Sequence, residues 1–318
     1  MNQSELRKLE MDSVPFCIYK EQIKKECISD STIKEKRLNS KVVKRITDQQ
    51  LSDGSWDRFH TLSARSTTRI TTENAIRRLL VLGLGKKDIP LQKAFSYMEQ
   101  YLLRQIDYRD HKESFSDWRE INELFTATWM LEIDSTSSIA GKVADKWASL
   151  ITKCFGGPLF NYMNYLAAFQ EIFNVKAGKR VWNIESFHIV SIVRNRLDPL
   201  IEDRFIRHIL NDDRGLYYMP SSGKLASIPS EFMSRSAVSF VWSHHLLSRY
   251  PSYSKYSVEV YDWLMANQSD DGLWDFGSNA KDDVFLPYSD SWRKKINRKI
   301  DSTILVQRYL QSIRDGLA

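Results

Sequence analysis

Four acidic residues have the type and the position for acid–base chemistry. Asp117 and Glu120 come just before an apolar helical stripe, and Glu231 and Asp301 lie at the starts of two other predicted helices. Two carboxylates on facing elements are the arrangement with which glycosidases cleave a glycosidic bond. The same residues are also natural helix caps, since Asp117 and Glu120 form the Asp-x-x-Glu of a capping box and Asp301, like Ser230, suits an N-cap. Both roles therefore stay open.

Two arginines have the chemistry to bind an anion. Arg69 and Arg298 each precede a predicted helix start by two or three residues. Helix N-termini present unpaired N–H groups and partial positive charge, and the planar arginine fork matches the geometry of phosphate. We therefore expect these residues to contact an anionic group such as a diphosphate. The alternative is that both arginines pair with acids at the surface.

Metal, thiol and nucleic-acid chemistry are not indicated. The three cysteines, Cys17, Cys27 and Cys154, form no Cys-x-x-Cys pair, and no histidines are spaced as His-Glu-x-x-His. The net charge is +6, but the cations are dispersed and no nucleic-acid motif is present. We expect no metal, no cofactor and no nucleic-acid partner.

The composition is that of an ordinary soluble globular protein, with 42% hydrophobic and 27% charged residues. No apolar run approaches the roughly 20 residues that cross a bilayer, so we expect no transmembrane segment. The polar start of the chain lacks the apolar core of a signal peptide, which predicts a cytoplasmic location.

Apolar residues recur with helical periodicity along most of the chain, and no persistent strand alternation is present, so the sequence predicts an all-α fold. Gly83 and Gly85 end one helix, and Pro90 opens the next. The segments between the helices are long enough to indicate functional loops. The predicted loops are 57–70, 106–116, 218–228 and 275–299. Further helices are predicted near 36–49, 137–153, 158–173, 185–210, 229–249, 255–267 and 300–314.

One short motif occurs twice and in part a third time. Residues 50–57 read QLSDGSWD, 268–275 read QSDDGLWD, and 211–217 read NDDRGLY. Each copy directly follows a predicted helix, and the separations of 161 and 57 residues fit a repeat of about 54 residues. The glycine permits a left-handed backbone, the glutamine side chain can bond exposed backbone groups, and the tryptophan can cover the corner. The motif therefore predicts a repeated structural corner.

This corner resembles the QW motif of squalene and oxidosqualene cyclases, which also occurs in degraded form in the β subunits of protein prenyltransferases. The resemblance implies an α/α toroid of inner and outer helices from about residue 33 to residue 318, with about five or six hairpins. Residues 1–32 would be an N-terminal helical segment that either completes the toroid or lies outside it. The residues that carry the motif are Gln50, Gly54, Trp56, Asn211, Gly215, Tyr217, Gln268, Gly272 and Trp274.

The catalytic signatures of that superfamily are absent from the sequence. The chain has no Asp-x-Asp-Asp, no Asp-Asp-x-x-Asp and no cysteine with the Asp spacing of prenyltransferase zinc sites. The resemblance still implies an isoprenoid or lipid-like ligand in a central cavity. The anionic head of this ligand would contact Arg69 and Arg298, and its apolar tail would lie along Trp118 and Phe240. Those aromatic residues could equally be packing. The alternatives are a non-catalytic interaction protein on the same toroid and a carbohydrate-active α/α barrel that uses the carboxylate pair.

Overall fold

The computed structural model describes residues 13–61, 67–112, 118–175, 181–219 and 223–315. Within these ranges the regular structure is helical, and the β-type pairing is limited to one isolated bridge between Ser186 and Tyr217. The prediction of an all-α protein is confirmed. None of the helices in the described ranges has both the length and the apolarity to cross a membrane.

The chain forms two compact units that alternate along the sequence. The first unit comprises Met1–Gln50, Arg77–Gly85 and Ser227–Ala318, and the second comprises Leu51–Ile76 and Lys86–Ala226. Helix Thr72–Val81 has its first residues in the second unit and its last residues in the first.

In the first unit, the long helix Lys295–Asp315 is the central element. It packs against helix Arg235–Leu247 and against the π-helix Ile18–Ile23. The residues that it buries include Ile304, Leu305 and Tyr309, which form one apolar stripe. The other helices of this unit are Ser13–Cys17, Ser31–Leu38, Lys41–Thr47, Val258–Ala266 and the 3-10 turns Pro251–Tyr256 and Ser278–Ala280.

In the second unit, helices that follow one another in sequence pack as neighbours. Trp118–Ile133 contacts both Ile89–Leu102 and Ser138–Cys154, and also the short helix Phe187–Ile192. Trp118–Ile133 is buried along most of its length, so it forms the middle of this unit. The remaining helices are Tyr162–Phe173 and Pro199–Asn211.

Several helix boundaries differ from the sequence prediction, and the reasons are local. The helix predicted over 185–210 is two helices, because Pro199 holds Asp198 in an extended conformation and the Asp198 carboxylate caps the second helix. The helix predicted over 229–249 begins at Arg235, since Ser234 and not Ser230 is its N-cap. The segment predicted as one helix over 36–49 is likewise two, Ser31–Leu38 and Lys41–Thr47.

The last helix begins five residues earlier than predicted, at Lys295. Asp301 therefore lies well inside the helix, and its predicted role as an N-cap is wrong. Arg298 also lies within the first turn of this helix rather than before it.

Candidate functional site

The three corners share the backbone feature that the sequence predicted. Gly54, Gly215 and Gly272 have φ of +92°, +69° and +76°, the left-handed region in which a side chain is strained. The prediction of a glycine-dependent turn at each corner is confirmed.

The two complete corners also have the same hydrogen bonds. In each corner, the backbone N–H of the residue after the glutamine donates to the carbonyl four residues later. The carbonyl of that residue after the glutamine accepts in turn from the N–H of the glycine. These pairs are Leu51 to Ser55 (2.9 Å) and Gly54 to Leu51 (3.0 Å), then Ser269 to Leu273 (2.9 Å) and Gly272 to Ser269 (2.8 Å). Identical hydrogen bonds at equivalent positions show that the sequence repeat is also a structural repeat.

The tryptophans of these corners are buried and anchored to the next helix. Trp56 is fully buried and Trp274 is 3% exposed. The backbone N–H of Trp56 donates to Thr72 Oγ1 (2.8 Å), and that of Trp274 donates to Thr303 Oγ1 (3.0 Å). In the second copy, the Gln268 side chain donates to the Gly272 carbonyl (2.8 Å), as a brace across the corner.

The third corner has diverged. Tyr217 is 45% exposed, and the Asn211 side chain donates back to the Arg207 carbonyl instead of across the corner. Tyr217 instead pairs through its backbone, donating to the Glu185 carbonyl (2.7 Å) and accepting from Phe187 N–H (3.0 Å). At this corner the backbone of Tyr217 pairs with an extended segment, whereas the equivalent residue of each complete corner is a buried tryptophan.

A buried carboxylate with two histidines lies directly behind the first corner, in the second unit. Glu73, in the first turn of helix Thr72–Val81, is fully buried. Its Oε1 accepts hydrogen bonds from Trp129 Nε1 (2.7 Å) and from His188 Nε2, and its Oε2 accepts from His60 Nδ1 (2.5 Å). Burial opposes the ionisation of Glu73, but the charges and hydrogen bonds of His188 and His60 outweigh it and hold its pKa well below the usual range.

The loop that carries His60 is held by hydrogen bonds to two other segments of the chain. The backbone N–H groups of Phe59, His60 and Thr61 all donate to the Asp110 carboxylate, at 2.6 to 2.8 Å. The Phe59 carbonyl accepts from Glu73 N–H (3.0 Å), which ties the same loop to the start of the helix. His60 is therefore held in position by hydrogen bonds outside its own ring.

Aromatic rings surround the His60 imidazole. The ring centroids of Phe125, Tyr218, Trp118 and Trp182 lie 4.4, 5.5, 6.1 and 6.4 Å from that of His60. The His60 side chain is 13% exposed, whereas those of Glu73 and His188 are fully buried. Of these three side chains, His60 is thus the one with solvent-exposed surface.

Tyr218 reaches this site through an unusual backbone conformation. Its φ is +70°, which is uncommon for a residue with a side chain. Its ring lies 4.7 Å from that of His188, and its hydroxyl donates to Asn74 Oδ1 (3.3 Å). We call Glu73, His60, His188 and the aromatic rings around them the His60 site.

A second fully buried carboxylate lies behind the second complete corner, in the first unit. Asp301 Oδ2 accepts from the backbone N–H of Tyr288 (2.9 Å) and Ser289 (3.0 Å), from Ser289 Oγ (2.8 Å) and from Trp292 Nε1 (2.6 Å). Burial raises the pKa of Asp301 to about 6, against the opposing effect of these hydrogen bonds. All four donors are neutral, and together they hold the segment before the last helix.

The other candidate residues in the first unit occupy different environments. Arg298 is held by Asp275, its Nε and Nη2 lying 2.6 and 2.9 Å from the two carboxylate oxygens. Phe240 is fully buried against His244 and Trp263. Glu231 is exposed.

The other candidates in the second unit are partly brought together. Trp118 is a wall of the His60 site, while Glu120 is half-buried on the same helix and Arg69 is exposed. Asp117 lies outside the described residues. Trp118 is therefore the candidate that the structure places beside the His60 imidazole.

The histidines and the glutamate of the His60 site were not predicted. Glu73 follows two threonines at a helix start, a pattern that indicates capping rather than chemistry. His188 falls in the helix predicted over 185–210, and His60 falls in the loop predicted over 57–70. The available signal was weak: one histidine three residues after the corner, in a loop that had been identified as long enough to be functional.

In the described part of the chain, no three His, Cys, Asp or Glu side chains are grouped so as to hold a metal ion. No family model, curated protein or solved structure matches this chain.

Proposed function

We propose that this protein is a divergent α/α toroid of the squalene cyclase and protein prenyltransferase type, and that it binds or transforms an isoprenoid or other lipid-like molecule at the His60 site. The resemblance is supported by the two complete corners, whose hydrogen bonds are the same and whose tryptophans are buried. In that superfamily the corner is a structural brace, so the chemistry must be argued from the His60 site itself.

The observation that carries the proposal is a partly exposed imidazole held by a buried carboxylate. Glu73 accepts from His60 Nδ1 (2.5 Å), which sets the orientation of the ring. Imidazole is the side chain most often used for general acid–base catalysis. Because the pKa of Glu73 is held low, this side chain stays ionised. His60 is then the group that moves the proton, and Glu73 orients it and stabilises its charged form.

The walls of the site favour an apolar substrate. Trp118, Phe125 and Trp182 are buried apolar rings around His60. Such rings pack against hydrocarbon and attract a developing positive charge. Arg69, which is exposed in the same unit, supplies positive charge for an anionic head such as a diphosphate. Arg298 lies in the first unit, where its guanidinium is paired with Asp275.

The proposal is tested by titrating farnesyl and geranylgeranyl diphosphate against the protein while following tryptophan fluorescence, and by mass spectrometry of the products. The His60→Gln variant should bind within about threefold of wild type and lose about 10²–10⁴ in turnover. His111→Gln, at an exposed histidine, is the matched control and should behave as wild type. Unchanged turnover in His60→Gln would exclude the acid–base role of His60. Absence of binding to the wild-type protein would exclude an isoprenoid diphosphate as the ligand.

A non-catalytic interaction protein is the second candidate, and one surface favours it. Leu159, Tyr162 and Met163 are 77%, 54% and 70% exposed at the start of one helix, more apolar surface than a solvated helix end requires. A Leu159→Lys/Met163→Lys variant should then lose chemical cross-links to other proteins in extracts of its native cells, while His60→Gln keeps them. Equal cross-linking in both variants would exclude this surface.

A further inference from the structure

A cavity of about 250 Å³ lies in the second unit, beside the diverged third corner. Its walls are held by the backbone pairing of Tyr217 with Glu185 and Phe187. The volume is below the roughly 300 Å³ at which pockets for drug-sized molecules begin, so it suits a ligand or ligand fragment of a few heavy atoms. The side chains that matter for its chemistry are those of Asn183, Glu185, Arg214, Tyr217, Tyr218 and Met219.

Glu185 is the charged group that is built into this cavity. The residue is only 8% exposed, and its Oε1 accepts from His208 Nε2 at 2.6 Å. The cation nearest to its Oε2 is Arg214 Nη2, at 3.7 Å, which is beyond hydrogen-bond distance. The Arg214 guanidinium instead donates twice to Asp212, at 3.2 Å each. Oε2 therefore keeps capacity to accept from a ligand.

The surroundings of Glu185 favour a cation over an anion. Arg214 donates its hydrogen bonds to Asp212, and His208 is bonded to Glu185 Oε1, so neither side chain donates a hydrogen bond to Oε2. Tyr217 and Tyr218 are among the residues that line the cavity, and aromatic faces attract cations. A carboxylate oxygen that can accept a hydrogen bond, together with aromatic rings, is a suitable set for an N–H-bearing ammonium group.

We propose that this cavity binds the primary ammonium group of a small ligand. The ammonium donates to Glu185 Oε2 and contacts the tyrosine rings, while the short apolar part of the ligand packs against Met219. Asn183 supplies a further polar group at the wall.

Tyr218 connects this cavity to the His60 site. It lines the cavity, and its ring also packs on the rings of His60 and His188. Ammonium binding needs only the cavity, whereas any effect of the ligand on His60 rests on the proposed acid–base function.

The test is a ligand-observed NMR titration with n-butylammonium, with 1-butanol as its neutral counterpart. Wild type should bind n-butylammonium with Kd of about 1 mM, as five heavy atoms allow, and bind 1-butanol at least tenfold more weakly. Glu185→Gln should weaken n-butylammonium binding about tenfold, since it removes the negative charge but keeps the shape. His60→Gln should bind as wild type, so loss of the acid–base function would leave this result intact.

A second variant acts in the opposite direction. Arg214→Ala removes the competing cation near Oε2 and should tighten n-butylammonium binding about threefold; its side chain is 69% exposed, so the fold tolerates the change. Arg207→Ala, at an exposed arginine that pairs with Asp203, is the control and should change nothing. The proposal is overturned if wild type does not bind, if 1-butanol binds equally, or if Arg214→Ala fails to tighten binding.

Discussion

The two buried carboxylates, each behind a complete corner, have opposite electrostatics. Glu73 in the second unit and Asp301 in the first are both fully buried. Glu73 accepts from two imidazoles and an indole, and its pKa is well below the usual range. Asp301 accepts from backbone N–H groups, a hydroxyl and an indole, and its pKa is raised to about 6. The difference lies in the charge of the partners.

Burial removes the hydration of a carboxylate, and neutral dipoles replace only part of it. Imidazoles can carry positive charge, so they add Coulomb attraction that neutral donors lack. The same type of corner therefore supports an ionised carboxylate in one unit and a structural anchor in the other. The comparison can be tested at the corners, at the carboxylates and at the glycines.

The largest effect is expected from truncating the tryptophans of the complete corners. Trp56→Ala and Trp274→Ala should each lower the free energy of unfolding by about 3–5 kcal/mol, because each removes a buried ring and leaves a cavity. Tyr217→Ala, at the diverged corner, should cost less than about 1 kcal/mol since that ring is 45% exposed. Chemical denaturation measures all three, and equal losses at the three positions would contradict the divergence of the third corner.

Removing the charge of Glu73 should cost more than removing that of Asp301. Glu73→Gln leaves His60 and His188 without their buried counter-charge and should cost about 3–5 kcal/mol. Asp301→Asn keeps an acceptor for its neutral donors and should cost less at pH 7. Denaturation curves of the two variants decide the order, and a larger loss in Asp301→Asn would refute the role given to partner charge.

The pH dependence of stability should differ in sign between the two sites. Asp301 has a folded pKa of about 6, above the 3.8 of the unfolded chain, so its contribution is fully present below about 3.8 and is lost as the pH rises through 6. Wild type should lose up to about 3 kcal/mol relative to Asp301→Asn across this window. Glu73, with a lowered pKa, contributes stability above 4.5 that is lost on acidification. Parallel pH profiles of wild type and Asp301→Asn would contradict the first statement.

The smallest effects distinguish the two corner glycines. A Cβ at Gly54 would lie 2.7 Å from the carbonyl carbon of Lys93, whereas one at Gly272 would meet only the Gln268 amide at 4.0 Å. Both alanines are strained by positive φ, at about 1–2 kcal/mol. Gly54→Ala should cost about 1 kcal/mol more, because the backbone of Lys93 must also move. Equal melting temperatures for the two variants would show that the surroundings of the corners are alike.

The sequence by itself determined the features that neighbouring residues encode. Apolar periodicity was enough to predict an all-α protein. The spacing of glutamine, glycine and tryptophan was enough to locate the corners, and all three glycines have the predicted left-handed backbone. Local steric rules set these features, so a short stretch of sequence carries them.

Where two local signals compete, the sequence alone does not fix the end of a helix. Some predicted helix boundaries are wrong for that reason. Ser230 and Ser234 are equally suitable N-caps by type, and the structure uses Ser234. The last helix starts at Lys295, which turns Asp301 from a predicted cap into a buried anchor.

Only the tertiary structure decided which ionisable groups meet. Glu73 is 13 residues from His60 and 115 from His188, and no periodicity relates positions at such separations. Whether a carboxylate is buried beside imidazoles or beside neutral donors depends on how distant helices pack. That packing sets the desolvation and the charge around each group, and these two quantities separate Glu73 from Asp301.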